Sequence, residues 1–260
     1  LESLGLSESS IKIGGVMVFA DGSLAAGTAA LSSPYKDQPE NMGKLFYKQD
    51  ELADILEKIH RAGFQAVIHA MGDRAIEEAL KAVEKALATI PKENHRHRIE
   101  NAAVLNPKLI TWMEKLGVTV SLQPYLIFSE FSVWSAMSRL GAERARWLYP
   151  LRTLIDKGIW VAGGSDCPME PLNPFVQMKA AVARSVFPEE QITIEEALRM
   201  FTINAAYISF EENAKGSIEE GKLADLTVLS RNPLETSPEK LDSLKVEMTI
   251  IGGKIAYQRI

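Results

Sequence analysis

Two side chains of catalytic type, His69 and Asp166, stand where short apolar runs end. His69 closes the run 66–69 (AVIH), and Asp166 follows the run 159–162 (IWVA) after a Gly-Gly-Ser turn. In parallel α/β folds the carboxyl ends of the strands are where ligands bind, so both side chains are expected at one edge of a sheet. An imidazole and a carboxylate at that edge suit a divalent-metal hydrolase: histidine ligates the ion, and the carboxylate ligates it or accepts a proton from the bound water.

Each of these residues also has a purely structural explanation. Asp166 suits the cap of a following helix or turn, and a single histidine is more often a core residue than a ligand. The shared position at strand ends favours the functional interpretation of this pair. His60 is given no role, and His95 and His97, which flank a strand start, are expected to make solvent or loop contacts.

Composition excludes several other classes of function. The net charge of -5 arises from 29 basic and 34 acidic residues without a basic tract, which disfavours nucleic-acid binding. No apolar run approaches the roughly 18 residues of a membrane span, so a soluble protein without a membrane partner is expected. The single cysteine, Cys167, excludes an internal disulfide and fits a cytoplasmic location; a thiol nucleophile is the weaker reading, because no histidine is placed nearby to activate it.

Strand-like and helix-period segments alternate along residues 1–213, which predicts an α/β fold with a parallel sheet or barrel. Asp50, Asp73 and the pair Asn106-Pro107 are predicted to open helices, and Thr193 with Glu196 forms a capping box. Residues 214–260 alternate with period two and contain a Gly-Gly turn, which predicts strands of a small antiparallel sheet. The predicted parallel strands are 14–19, which is expected to be buried, 66–70, 96–100, 118–122 and 159–162.

Five such strands are fewer than the eight of a (β/α) barrel. An open five-stranded sheet would leave apolar edges and faces exposed. We therefore expect another chain or fragment to cover them, either a second copy or a missing N-terminal portion. A well-behaved monomer of 28.7 kDa in solution would contradict that expectation. The long segment 123–150 is rich in aromatic residues, which either wall an apolar substrate pocket or pack helices against the sheet.

Several short motifs, in order along the chain, resemble the third subfamily of the amidohydrolases, which includes N-substituted formamide deformylase. They are 21–24 (DGSL) with 28–31 (TAAL), 69–73 (HAMGD), 97–100 (HRIE), 123–125 (QPY) and 164–166 (GSD). The tail 216–226 (GSIEEGKLADL) is similar to the signature of amidohydrolase C-termini. The resemblance implies a metal-dependent hydrolase, of which this chain is a partial (β/α)8 TIM barrel, roughly strands four to eight, followed by part of a β-sandwich.

The resemblance also implies roles for single residues. His69 corresponds to the metal ligand of strand five, and Asp166 to the strand-eight aspartate that ligates the metal or deprotonates the nucleophilic water. Asp21, Tyr125 and Phe128 are expected to contact substrate.

Other positions depart from the family pattern. Met17 stands where the family carries a lysine that often bridges two metals, and Asn101 stands where a histidine is usual. The His-x-His of strand one is absent, and Leu126 and Ile127 replace a further histidine. Because methionine and asparagine bind zinc poorly, the expected site is mononuclear or empty, with Asn101 a weak third ligand beside His69 and Asp166.

The leading hypothesis is therefore a hydrolase of carbon–nitrogen bonds other than peptide bonds, of amide or cyclic-amide type. In it a metal-activated water attacks the carbonyl, Asp166 passes the proton to the leaving nitrogen, and zinc is the expected ion. The alternative is a catalytically depleted barrel fragment that acts as a partner subunit or binding module.

Overall fold

The computed structural model describes residues 13–260, which form two separate β-sheets with helices on the larger one. Within those residues the larger sheet has five parallel strands in the order β1-β2-β3-β4-β5, and the smaller has three antiparallel strands in the order β6-β7-β8. The strands are β1 Gly15–Phe19, β2 Gln65–Ala70, β3 Arg98–Asn101, β4 Thr119–Leu122, β5 Val161–Gly163, β6 Leu226–Leu229, β7 Val246–Ile251 and β8 Lys254–Gln258. The predicted α/β class, parallel sheet and antiparallel C-terminal strands are confirmed.

Helices follow the strands of the larger sheet, so each strand pairs with the next one along the chain. They are α1 Gln49–Arg61, α2 Asp73–Thr89, α3 Pro107–Leu116, α4 Tyr125–Phe128, α5 Ala136–Ala145, α6 Leu151–Asp156, α7 Pro174–Val182, α8 Ile194–Met200 and α9 Ile203–Ile208. One face of α2 packs against the sheet: Ile76, Leu80 and Val83 are fully buried, and each such burial contributes about 1.5–3 kcal/mol of hydrophobic stabilisation. No helix in residues 13–260 is long and apolar enough to cross a membrane.

The first strand differs from the expectation of a buried strand. Val18 is buried, but Met17 is 50% and Phe19 49% exposed. The reason is topological, because β1 pairs only with β2 and forms one edge of the sheet. The sheet is thus open between β1 and β5 within the described residues.

A predicted helix start is confirmed where the predicted side-chain cap forms, as it does at α3. The side chain of Asn106 accepts a hydrogen bond from Leu109 N at 3.0 Å, Pro107 occupies the first turn, and Gly117 ends α3 with φ of 69°. Asp50 and Asp73 were predicted as caps but lie inside the first turns of α1 and α2. Asp73 instead accepts hydrogen bonds from the main chain and hydroxyl of Ser32, which lies in the loop after β1.

Replacing Asn106 by alanine is expected to lower the free energy of unfolding by about 1 kcal/mol, because the first turn of α3 loses its side-chain acceptor. Urea denaturation followed by circular dichroism measures the change. Lys108→Ala, at an exposed position of the same turn, is the matched control and should stay within about 0.5 kcal/mol of the original protein. Equal effects of the two substitutions would contradict the capping role.

Candidate functional site

The polar side chains singled out from the sequence lie at the carboxyl edge of the parallel sheet. His69 is the penultimate residue of β2, Asn101 ends β3, Gln123 follows β4 and Asp166 follows β5. Strands β3 and β4 lie between those of His69 and Asp166, so the two residues share an edge but not neighbouring strands. Among residues 13–260 no three His, Cys, Asp or Glu side chains are grouped as a metal site.

Asp21 anchors the loop after β1 to the end of β2. Its carboxylate is fully buried and accepts hydrogen bonds from three main-chain amides, those of Ala30 (2.8 Å), Met71 (2.9 Å) and Gly72 (2.9 Å). Burial raises the pKa of Asp21 above its usual range, and the three amide donors oppose that rise. These bonds give Asp21 a structural task, while its predicted contact with substrate stays a prediction.

His69 is oriented by the same loop. Its Nε2 lies 3.0 Å from the carbonyl oxygen of Gly22 and 3.9 Å from Oδ1 of Asp21, and the ring lies 5.0 Å from that of Phe19. A carbonyl oxygen only accepts, so Nε2 carries the proton and Nδ1 keeps its lone pair. A histidine whose second ring nitrogen donates to a carbonyl is oriented as metal-binding histidines are.

The side chain of Asn101 is fixed by its backbone conformation and by a hydrogen bond to a neighbouring strand end. Its backbone has φ of 71°, a left-handed conformation that asparagine tolerates better than most residues. The buried side chain donates from Nδ2 to Oε1 of Gln123 at 2.9 Å. Only the carbonyl oxygen of the Asn101 side chain is therefore left to meet a cation.

Asp166 is exposed in the loop after β5 and has φ of 52°. Its carboxylate makes no hydrogen bond within the described residues, and the next helix, α7, is capped by Asn173 instead. The capping explanation for Asp166 therefore fails for that helix. The carboxylate is free to meet a molecule from solution.

The aromatic segment 123–150 both packs and lines a cavity. Tyr125 and Phe128 on α4 lie 5.3 Å apart between ring centroids and line a cavity of about 270 Å³ against α7. Gln177, fully buried on α7, accepts from Tyr125 N at 2.8 Å and donates to Pro171 O at 2.9 Å. The cavity suits a small apolar group, and the substrate role of Tyr125 and Phe128 stays a prediction.

The expectation of solvent or loop contacts for His95 and His97 is wrong. Both are buried, as is His60. His97 Nδ1 accepts from Ala66 N (2.9 Å), so its Nε2 donates to His60 Nδ1 (2.9 Å), and His60 Nε2 in turn donates to Ile90 O (2.7 Å). The hydrogen-bond chain thus requires neutral rings.

These histidines lie at the amino edge of the sheet, away from His69 and Asp166. The larger cavity, of about 970 Å³, opens at this edge too, beside His95, Trp160 and Tyr207. Its size alone does not make it the functional site, because the side chains matched to hydrolysis lie at the opposite edge.

Three further polar residues lie near the carboxyl edge: Glu130 and Glu170, which the sequence did not single out, and Tyr149, one of the aromatic residues of the segment 123–150. All three are buried. The only local signal is a carboxylate set among aromatic residues in the stretch 128–131 (FSEF).

Comparison with known proteins gives consistent matches along the chain. A model described as the amidohydrolase family matches residues 1–257. The chain is 35% identical over 264 residues to YtcJ of Bacillus subtilis (98% of this chain, 49% of that protein). It is 33% identical over 264 residues to N-substituted formamide deformylase of Arthrobacter pascens (97% and 47%).

A solved structure, an uncharacterized metal-dependent hydrolase from Pyrococcus furiosus, superposes with a TM-score of 0.80 at 36% identity and covers 90% of this chain and 48% of that one. The chain spans about half the length of the curated relatives that it matches.

Proposed function

Because the chain belongs to the amidohydrolase family, we propose that it is part of a metal-dependent hydrolase of carbon–nitrogen bonds other than peptide bonds, of amide or cyclic-amide type. The observation that carries the proposal is the arrangement of His69. Its Nε2 is engaged by Gly22 O and its Nδ1 is left free, at the sheet edge that also presents the exposed carboxylate of Asp166. That edge is where parallel α/β enzymes bind their ligands.

The donor set fits a metal ion only in part. His69 Nδ1 and the Asp166 carboxylate are suitable donors, and the Asn101 carbonyl is a weak one, but the described residues hold no grouped set of three strong ligands. A divalent ion, zinc in our proposal, supplies Lewis acidity and an activated water when it is bound. We propose that further ligands come from the rest of a complete barrel, in which β1 to β5 are roughly strands four to eight.

This chain's own residues have separate tasks in the proposal. Asp166, exposed and without a hydrogen-bond partner, accepts a proton from the attacking water and returns it to the leaving nitrogen. The cavity beside Tyr125 and Phe128 takes an apolar substituent of the substrate. Asp21 holds the loop that orients His69, and we propose that the same loop contacts substrate.

Domain arrangement, assembly and location are part of the same proposal. Residues 1–213 belong to the barrel portion and residues 214–260 to a β-sandwich portion. The exposed side chains of β1, Met17 among them, support association with a second copy or with a further segment of the protein. The exposed free thiol of Cys167 supports a cytoplasmic location.

Asp166→Asn is the direct test, because amide oxygen keeps the shape of the side chain and loses the proton-accepting charge. In the protein that carries this chain within the complete barrel, we expect kcat/KM for N-substituted formamides or cyclic amides to fall at least about 100-fold, the usual contribution of a general base. Asp156→Asn, which changes an exposed carboxylate on α6, is the matched control and should leave the rate within twofold. Native and Asp166→Asn proteins that hydrolyse the panel equally would contradict the proposal.

The second candidate, a depleted barrel fragment that serves as a partner subunit or binding module, has its own support. Met17 is half exposed, and Asn101 offers a metal only a neutral amide oxygen, which binds zinc more weakly than the histidine usual at this position. Elemental analysis of the protein that carries this chain within the complete barrel separates the two candidates. Tightly bound zinc together with Asp166-dependent hydrolysis favours the enzyme, whereas absence of both favours the binding module.

A further inference from the structure

Three buried polar atoms beyond the ends of β4 and β5 lack a hydrogen-bond partner in the described part of the chain. They are Glu130 Oε2, the Tyr149 hydroxyl and Glu170 Oε1, and the three residues are between 0% and 7% exposed. An unsatisfied buried polar atom costs about 1–3 kcal/mol, and more when it is charged. A protein that keeps three of them in one region needs a reason for them.

The local backbone is uncommon at two of these three positions. Glu130 lies on a π-helical turn, Ser129–Val133, a form that recurs at functional sites. Tyr149 has φ of 49°, an uncommon conformation for a bulky residue. Glu170 is the one buried residue of the exposed loop 166–174. A loop that otherwise faces solvent thus directs a single carboxylate into the protein.

The segments that carry the three groups are packed together. Gln177 bonds both Tyr125 N, on the helix before Glu130, and Pro171 O, next to Glu170. The Arg184 guanidinium donates to Tyr149 O and lies 5.8 Å from the ring of Phe131, next to Glu130.

The electrostatics agree with this packing. Burial, and then the charges of Glu130 and Glu170, raise the pKa of Tyr149; burial raises the pKa of Glu130 to about 7, a rise that Arg139 opposes and Glu170 reinforces. None of the three unpartnered atoms bonds to another, so each keeps an open hydrogen-bonding position.

No cation of the protein fills these positions directly. Arg139 lowers the pKa of Glu130 from a distance, but its guanidinium donates to the main-chain carbonyls of Trp134 and Leu24. The cluster thus combines two carboxylates and a phenol without a bonded counter-ion among residues 13–260. Such a set favours a positively charged hydrogen-bond donor.

We propose that Glu130, Tyr149 and Glu170 bind a primary ammonium group. An R–NH3⁺ group offers three N–H donors, which match the three unpartnered oxygen atoms, and its charge is balanced by the carboxylates. A calcium ion needs six to eight oxygen ligands, more than the cluster supplies. A quaternary ammonium has no N–H to donate.

The ligand class rests on the proposed function. Hydrolysis of an amide, RCONHR′ + H2O → RCOO⁻ + R′NH3⁺, adds the water oxygen to the carbonyl carbon, breaks the C–N bond and leaves the nitrogen protonated. The loop 166–174 carries both Asp166 and Glu170, so the proposed proton acceptor and the ammonium site share one segment. The site therefore holds either the released amine or an amino group already present on the substrate.

Calorimetric titration of the 260-residue chain with n-butylammonium at pH 8, where Glu130 is ionised, tests the site. We expect saturable binding at least tenfold tighter than that of tetramethylammonium, which has the charge without N–H donors, and none for n-butanol. Glu170→Gln and Glu130→Gln should each weaken butylammonium binding at least tenfold. The matched control, Glu143→Gln on the exposed face of α5, should leave it unchanged.

Folding does not confound these variants, because each removes an unpaired buried charge and should unfold at or above the native temperature. Equal affinity for butylammonium and tetramethylammonium would overturn the proposal, as would no binding of either or tighter binding of Ca²⁺ or Mg²⁺. The Asp166→Asn variant should still bind butylammonium although it no longer hydrolyses amides. Hydrolysis therefore tests the proposed function, and butylammonium binding tests the ammonium site independently.

Discussion

Asp21→Ala is expected to lower the free energy of unfolding by about 4 kcal/mol. The substitution leaves the amides of Ala30, Met71 and Gly72 buried without an acceptor, at about 1–3 kcal/mol each. The variant no longer pays the desolvation free energy of a buried carboxylate, which offsets part of that cost. The loop after β1 should then detach from the end of β2, and the carbonyl of Gly22 that holds His69 should move with it.

Urea denaturation monitored by circular dichroism measures the change. Asp54→Ala, which removes an exposed carboxylate paired with Lys85, is the matched control and should change stability by no more than about 0.5 kcal/mol. Asp21→Asn should fall between the two, because the amide keeps one acceptor oxygen but turns an N–H group toward the buried donors. A loss below about 1 kcal/mol for Asp21→Ala would contradict the anchoring role.

Acid is expected to destabilise the fold through His97, by about 3 kcal/mol between pH 7 and pH 4. Burial lowers the pKa of His97 from 6.5 to about 3, and the nearby rings of His95 and His60 add to the effect. The unfolded chain binds a proton below about pH 6.5, whereas the folded chain resists it until about pH 3. Stability from this residue is therefore present above pH 6.5 and lost as the pH falls toward 3.

Urea denaturation at pH 7, 5 and 4, for the native protein and for His97→Gln, isolates this contribution. Hydrogen bonds and arginine partners lower the pKa values of Glu196 and Glu212, so their contributions to the stability of the fold are also lost in acid. That loss is the same in both proteins. We expect His97→Gln to be less stable at pH 7 and to lose about 3 kcal/mol less than the native protein by pH 4. Parallel pH dependences would show that His97 is not the group responsible.

Much of the fold follows from local sequence signals. Hydrophobic periodicity predicts the alternation of strands and helices. The sequence also marks both ends of α3, with Asn106 as its N-cap and Gly117 as its C-cap. The same signals put His69 at the end of one strand and Asp166 just after another, and the parallel direction of the strands then puts both at one edge. Hydrophobic periodicity does not indicate their catalytic roles, which stay predictions.

Features that depend on distant residues could not be predicted in this way. His97 is polar and flanked by polar neighbours, and its burial depends on His60, 37 positions earlier on α1. Exposure of Met17 depends on β1 being an edge, which periodicity does not reveal. The packing of the segments that carry Glu130 and Glu170 depends on Gln177, which bonds Tyr125 and Pro171 across 52 and 6 positions of the chain.

The buried amide of Gln177 has a consequence for how such a site diversifies. It bonds the main-chain nitrogen of Tyr125 at one end and the carbonyl of Pro171 at the other, so the spacing of the two loops is independent of which side chain residue 125 carries. A change of the ring at position 125 would therefore leave this hydrogen-bonded frame, and the loop that carries Asp166, in place. If the proposed function holds, substrate range could change in evolution without a change in the reaction chemistry.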